Sequence, residues 1–190
     1  MDLFEAIRGR RSCRNFLPDP VGEADLEKIL ESATWAPSPL NGQPWEFMVI
    51  TGKDLKEKIF SEAERCRQWA VEKTGWKWLG RYDVDFLKGV PAFVGVVGDP
   101  EKGGVDRFQE EGGTAYQQAC AAAIQNMQLA AHALGYATLW FTLFQRDFMR
   151  QILGVPKEKV PLALLCVGKA SAEIPQPPRK DFREKTTFLP

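Results

Sequence analysis

The stretch WAPSPLNGQPWEFMVI, residues 35–50, sets the first change from helix to strand in the chain. Before it, residues 23–35 carry apolar side chains at helical spacing, which predicts an amphipathic helix. The three prolines and the glycine of the stretch cannot continue that helix, so a loop is expected over residues 36–44. Residues 47–51 then form an apolar, partly β-branched run, which predicts a strand.

The same two patterns alternate along the rest of the chain. Helical spacing predicts further helices at residues 3–9, 54–69, 112–134 and 146–153. Short apolar runs predict further strands at residues 92–97, 137–141 and 162–167. Three prolines after residue 172 predict an extended tail rather than a helix. We find no repeat and no linker, so the sequence indicates a single α/β or α+β domain over residues 1–190.

Composition is typical of an ordinary soluble globular protein. The 190 residues carry 25 basic and 25 acidic side chains, and 44% of them are hydrophobic. A net charge of zero argues against a nucleic-acid partner, and the longest apolar stretch holds too many polar residues to span a membrane. No signal peptide is recognised, and the four cysteines are widely spaced. We therefore expect reduced thiols, no metal site and a cytoplasmic location.

The stretch RGRRSCRNF, residues 8–16, concentrates Arg10, Arg11, Ser12 and Arg14 just after a predicted helix end. Guanidinium groups suit phosphate because their planar fork donates two charge-assisted hydrogen bonds. The alternative is a solvated basic face, which is the usual fate of a charge run. A second basic pair, Arg179 and Lys180, lies near the C-terminus. The two basic groups could bind the same phosphate.

Three other polar features have simpler interpretations. The single histidine, His132, is expected to be a core or interface residue with a local hydrogen bond. Glu110 and Glu111 precede a predicted helix N-terminus, where the macrodipole favours acidic groups, and are interpreted as structural. The arginines beside Cys13 are expected to lower the pKa of its thiol, although no resolving cysteine is evident.

Four stretches together resemble the FMN-dependent nitroreductase family. They are residues 8–16, residues 35–50, QNMQLAAHALGYATLWFTLF at 125–144 and PPRKDF at 177–182. The resemblance implies an α+β, three-layer fold in which helices flank a central, mostly antiparallel sheet. It also implies an intertwined homodimer with FMN at the interface. Residues 65–88 have no counterpart in the resemblance and are expected to form a variable, lid-like segment.

The resemblance implies a role for each candidate residue. The phosphate and ribityl end of FMN would be held from both ends of the chain by Arg10, Arg11, Ser12, Arg179 and Lys180. Arg14 would face the pyrimidine edge of the ring, where a cation stabilises the anionic reduced flavin. The flavin would also contact a loop of the partner subunit through Pro37, Ser38, Leu40 and Asn41. Thr142 and Leu143 would offer backbone N–H groups to the ring, with Leu143 crowding it.

The function implied is an NAD(P)H-dependent FMN oxidoreductase without a catalytic side chain of its own. Nicotinamide would transfer hydride to the flavin and leave before a nitroaromatic, quinone or similar conjugated acceptor takes its place. Within the family, a specialised reaction such as reductive dehalogenation, enone reduction or flavin fragmentation is an alternative. Outside it, the alternatives are a non-catalytic flavin-binding module and a phospholigand binder without flavin.

Overall fold

Over residues 1–109 and 112–189, which are described by the computed structural model, four strands form one antiparallel sheet. The strands are β1 (Trp45–Ile50), β2 (Ala92–Gly98), β3 (Ala137–Phe141) and β4 (Val160–Gly168). Their order is β1-β2-β4-β3, so β1 and β3 are the two edges. Each predicted strand is therefore present, within three residues of its predicted ends.

Six α-helices surround this sheet within the described residues. They are α1 (Leu3–Gly9), α2 (Glu23–Thr34), α3 (Lys53–Thr74), α4 (Lys77–Gly80), α5 (Ala115–Ala133) and α6 (Arg146–Leu153). The predicted end of α3 at Trp69 is wrong. The helix continues to Thr74, and Gly75 terminates it with a left-handed φ of 66° and an N–H that donates to the Val71 carbonyl.

Helices cover both faces of the sheet. On one face, Ile59 of α3 and Met149 of α6 pack against alternate strand residues such as Phe93. On the other face, α2 and α5 pack against the intervening residues, including Val94. Burial on both faces explains why β2 and β4 are continuous apolar runs. The α+β prediction, with an antiparallel sheet between helical layers, is confirmed.

The remaining segments have mixed structure. Residues 65–88 contain the second half of α3, all of α4 and most of a 3-10 turn at Asp85–Gly89. Residues 173–180 have no regular secondary structure, and Phe182–Lys185 form a 3-10 turn. The interpretation of Glu110 and Glu111 lies outside the described residues.

Two features are absent from the described residues. They contain no helix long and apolar enough to cross a membrane, and no cluster of three or more His, Cys, Asp or Glu placed to hold a metal ion. All four cysteines are buried free thiols.

Candidate functional site

Residues 8–16, here called the basic segment, lie along the β3 edge of the sheet. Helix α1 ends at Gly9, and Ser12 then forms a parallel bridge with Thr138 of β3. The Cys13 N–H donates to the Thr138 carbonyl at 2.9 Å. Downstream, the Ser171 N–H donates to the Asn15 carbonyl at 2.9 Å. The start of the C-terminal tail therefore lies beside the basic segment.

Arg10 and Arg11 line a cleft of about 300 Å³, here called the basic cleft, together with Gly9, His132 and Tyr136. Arg11 Nη1 donates to the Arg10 carbonyl at 2.8 Å. Burial, then Arg11, then Arg179 lower the pKa of the Arg10 guanidinium. Arg179 therefore lies close enough to Arg10 to repel it. Arg179 acts on the N-terminal basic group through its charge, although it does not line the cleft.

The positive charge of this cleft is not balanced from within the chain. Over residues 1–109 and 112–189, no carboxylate forms an ion pair with Arg10, Arg11 or Arg179. The Nε of Arg11 is buried and has no hydrogen-bond partner among those residues. A buried donor without a partner costs about 1–3 kcal/mol, so the cleft is suited to an anion that brings acceptor oxygens. Lys180 is exposed next to Arg179.

Arg14 points into a different cleft, of about 530 Å³. Its Nε donates to the Tyr82 hydroxyl at 3.2 Å, and its guanidinium carbon lies 5.8 Å from the Tyr82 ring centroid. Asn15 and Phe86 line the same cleft. Arg14 is thus separated from the basic cleft and held by residues 65–88.

Tyr82 belongs to a run of aromatic contacts, here called the aromatic ladder. Its members are Trp76, Trp78, Tyr82, Phe86 and Phe141. Trp76 stacks on Trp78 with ring centroids 5.9 Å apart, and the other three contacts are edge-on at 6.2–6.5 Å. The ladder runs from two exposed tryptophans to the last residue of β3, beside Thr142.

The loop of residues 36–44 is tightly turned. The Ser38 hydroxyl accepts from the Gln43 N–H at 3.1 Å. Leu40 and Asn41 have positive φ values of 51° and 54°, a conformation that side chains rarely adopt. The Leu40 side chain is 85% exposed. The loop therefore presents Pro37 and Leu40 outward.

This loop and the basic segment lie at diagonal corners of the sheet. Residues 36–44 lead into Trp45, which starts edge strand β1 opposite the last residue of β2. Ser12 pairs with Thr138 of the other edge strand, and the register places Thr138 level with Ala92 at the other end of β2. Three strand spacings and the length of β2 separate the corners, roughly 25 Å. Within one chain, the structure does not bring these candidate residues together.

The third group of candidate residues follows β3. Thr142 is exposed and lines a cleft of about 310 Å³ with Trp140 and Arg146. Leu143 is partly buried and packs against the core under α3 and α6. The Leu143 side chain therefore packs inward and does not project into solvent.

The chain that follows β3 is anchored at Gln145 by the buried carboxylate of Glu62, a residue that the sequence did not single out. Glu62 of α3 is 4% exposed and accepts from the Arg65 Nε and Nη2 at 2.7 and 2.9 Å and from the Gln145 N–H at 2.8 Å. Arg65 Nη2 also donates to Gln145 Oε1 at 3.0 Å, and its guanidinium carbon lies 3.7 Å from the Phe148 ring centroid. We call Glu62, Arg65 and Gln145 the clamp. A Glu–Arg pair three residues apart is typical of exposed helix surfaces, so spacing alone could not reveal its burial.

Two expectations about single residues are corrected. Cys13 is 1% exposed, and burial raises the pKa of its thiol more than the neighbouring Arg14 lowers it. The expectation that arginines lower this pKa is wrong, because desolvation penalises the thiolate. His132 is half-buried but has no hydrogen-bond partner among the described residues, so the local hydrogen bond expected from the sequence is not found there.

Comparisons with known proteins identify relatives of this chain. The model of the Nitroreductase family matches residues 7–169. An Archaeoglobus fulgidus protein, provisionally named NADH dehydrogenase/NAD(P)H nitroreductase, is 28% identical over 96% of this chain and 90% of its own. The 5,6-dimethylbenzimidazole synthase of Rhodobacter capsulatus is 27% identical, over 87% of this chain and 82% of its own. A provisionally named nitroreductase from Desulfovibrio desulfuricans, solved with FMN, superposes with a TM-score of 0.75 at 25% identity, covering 100% of this chain and 98% of its own.

Proposed function

The chain belongs to the nitroreductase family, and from that premise we propose that it is an FMN-dependent oxidoreductase that uses NAD(P)H to reduce nitroaromatic, quinone or similar conjugated acceptors. When bound, FMN supplies the hydride chemistry, and the protein supplies orientation and electrostatics. The names of the A. fulgidus and D. desulfuricans proteins support NAD(P)H and FMN as the reaction partners.

The observation that carries the proposal is the unbalanced charge of the basic cleft. Arg10 and Arg11 line the cleft, the charge of Arg179 acts on Arg10, and Arg11 Nε is a buried donor without a partner in the described part of the chain. These donors would hold a terminal phosphate, with Lys180 adding charge at the exposed rim and Ser12 a hydroxyl beside it. Charge-assisted bonds of this kind contribute roughly 1.5–3 kcal/mol each.

Arg14 has a different role in the proposal. It lies outside the basic cleft, and its hydrogen bond to Tyr82 holds its guanidinium under residues 65–88. A fixed cation at the pyrimidine edge of a flavin stabilises negative charge there. Tyr82 would then be a positioning residue for Arg14. Residues 65–88 would act as a lid, and the exposed faces of Trp76 and Trp78 favour planar, conjugated acceptors.

The diagonal placement of the loop of residues 36–44 and the basic segment supports a homodimer. Pro37, Ser38, Leu40 and Asn41 of one chain lie roughly 25 Å from that chain's basic segment, so they would complete the site of a second copy. The backbone N–H groups of Thr142 and Leu143 would face the same ring, and the clamp anchors the chain just beyond them, at Gln145. The apolar side of α1 supports an interface, because Leu3, Phe4 and Ile7 are 62%, 65% and 48% exposed.

Purification tests the proposal directly. We expect a yellow protein that releases FMN, not FAD, on denaturation, and that oxidises NAD(P)H when a quinone is present. Arg10→Ala is expected to lose flavin, whereas Arg8→Ala, which changes an exposed arginine outside the basic cleft, is expected to retain it. A colourless protein that stays colourless after incubation with FMN would contradict the proposal. A flavin-loaded protein that reduces no acceptor would instead be a binding module.

A second candidate reaction is flavin fragmentation, which the similarity to the R. capsulatus 5,6-dimethylbenzimidazole synthase favours. Incubation of the protein with reduced FMN in air, followed by mass analysis for dimethylbenzimidazole, separates the two. Formation of that product at a rate exceeding quinone reduction would replace the first proposal.

A further inference from the structure

His132, the only histidine of the chain, lies in the basic cleft with Arg10 and Arg11. A Cβ added to Gly9 would lie 2.6 Å from the His132 Nε2, so glycine at this position lets the imidazole sit against the end of α1. Over residues 1–109 and 112–189, no side-chain hydrogen bond involves His132, and neither imidazole nitrogen is a fully buried unpartnered atom. The ring therefore offers its polar atoms to the cleft.

The groups around His132 are mostly cationic. Burial, then Arg10, then Arg11 lower the pKa of the imidazole, so it is mainly neutral at pH 7 in the free protein. Met1, which carries the N-terminal amine, and Tyr136 line the same cleft. The Tyr136 hydroxyl donates to the Asp25 carboxylate at 2.9 Å, so that carboxylate is already engaged.

We propose that His132 is a further ligand of the phosphate group and that it takes up a proton when a phosphate monoester enters the basic cleft. The identity of that monoester as FMN rests on the proposed function, but the chemistry is that of any phosphate monoester. The proton comes from solvent: hydronium loses an O–H bond as the imidazole gains an N–H bond, and no other bond changes.

His132 is expected to gain a proton because the phosphate changes the electrostatic potential at the imidazole from positive to negative. In the free cleft, two arginines disfavour a third positive charge. A phosphate monoester carries about −1.5 to −2 charges at pH 7, which outweighs that repulsion and favours the imidazolium. Binding is then linked to proton uptake at mildly acidic pH, because the bound state holds one more proton than the free state.

Nuclear magnetic resonance of 13C-labelled histidine tests this without assignment, because the chain has one histidine. The Hε1 titration midpoint is measured in the flavin-free protein and with inorganic phosphate, FMN or riboflavin. We expect FMN to raise the midpoint by about one pH unit. Inorganic phosphate is expected to shift it in the same direction, and riboflavin, which lacks the phosphate, to leave it unchanged.

His132→Gln gives an independent readout in the FMN dissociation constant. One unit of midpoint shift corresponds to a maximum tenfold change in affinity, so the variant is expected to bind FMN up to about tenfold more weakly at pH values below the midpoint of the free protein. The two proteins are expected to converge above about pH 8, where the imidazole is neutral in both states. The phosphate of FMN titrates in the same range. The titration of free FMN is common to both proteins and cancels in the ratio of the dissociation constants, whereas the bound phosphate is coupled to His132, so the ratio reports the coupled pair.

The outcomes separate this inference from the proposed function. An unchanged midpoint with FMN bound, or an equal shift with riboflavin, overturns the role of His132 while FMN binding itself stands. A shift with inorganic phosphate in a protein that does not bind FMN supports His132 as a phosphate ligand and overturns the flavin proposal. Absence of FMN binding together with an unchanged midpoint in phosphate overturns both.

Discussion

Replacement of Glu62 by glutamine is expected to destabilise the protein by about 2 kcal/mol. The side chain is buried and accepts two bonds from Arg65 and one from the Gln145 N–H. Glutamine keeps the shape and one acceptor oxygen, which can still receive the Gln145 N–H. Its amide donor then faces the guanidinium, so a charge-assisted bond worth about 1.5–3 kcal/mol is lost.

Partial exposure of the partner limits the loss. The Arg65 side chain is 38% exposed, so water replaces part of what the carboxylate provided, and the cost stays below the roughly 3–5 kcal/mol of a fully buried broken pair. Glu57→Gln on the same helix is the matched control. Glu57 pairs with Lys53 at 3.8 Å, and both side chains are mostly exposed, so its loss is expected to cost less than about 0.5 kcal/mol.

Urea unfolding of the two variants measures the difference. With a slope near 2 kcal/mol per molar, Glu62→Gln is expected to lower the urea midpoint by about 1 M without changing the slope. Glu57→Gln is expected to leave the midpoint nearly unchanged. If the two variants unfold within 0.5 kcal/mol of each other, taken as roughly the size of a surface pair, the clamp does not stabilise the fold as argued.

Three further predictions concern the cofactor, acid stability and the thiols. Arg10→Ala is expected to weaken FMN binding by about 2 kcal/mol, roughly thirty-fold, with little change in potential. Arg14→Ala is expected to lower the two-electron potential by roughly 30 mV. If redox titration instead shows that Arg10→Ala shifts the potential and Arg14→Ala does not, the roles assigned to Arg10 and Arg14 are reversed. Arg67 hydrogen bonding lowers the pKa of Glu64 from 4.5 to about 2, so this pair stabilises the fold above about pH 4.5 and loses that effect as pH falls towards 2. Urea midpoints of Glu64→Gln and wild type should therefore converge on acidification, and a constant gap would contradict this. Burial raises the pKa of Cys120 to about 12, so a thiol reagent near pH 8 should label it only on unfolding, and rapid labelling of the native protein would refute this.

The sequence by itself determined the order and type of the elements. Apolar periods of 3.6 and 2 residues, and breakers such as the prolines of residues 36–44, act over a few neighbouring residues and can be interpreted without a fold. For that reason β3 and α6 lie where the pattern predicts them. The end of α3 was missed because residues 70–74 continue the helix without a clear apolar period.

Only the tertiary structure decided what lies near what. Three features depend on residues far apart in the chain. They are the burial of Glu62, the effect of Arg179 on the pKa of Arg10, and the position of Arg14 in a second cleft. The strand order β1-β2-β4-β3 places the loop of residues 36–44 and the basic segment at opposite corners. Local periodicity carries no information on strand order or on desolvation, because both depend on which surfaces pack together after the chain has folded.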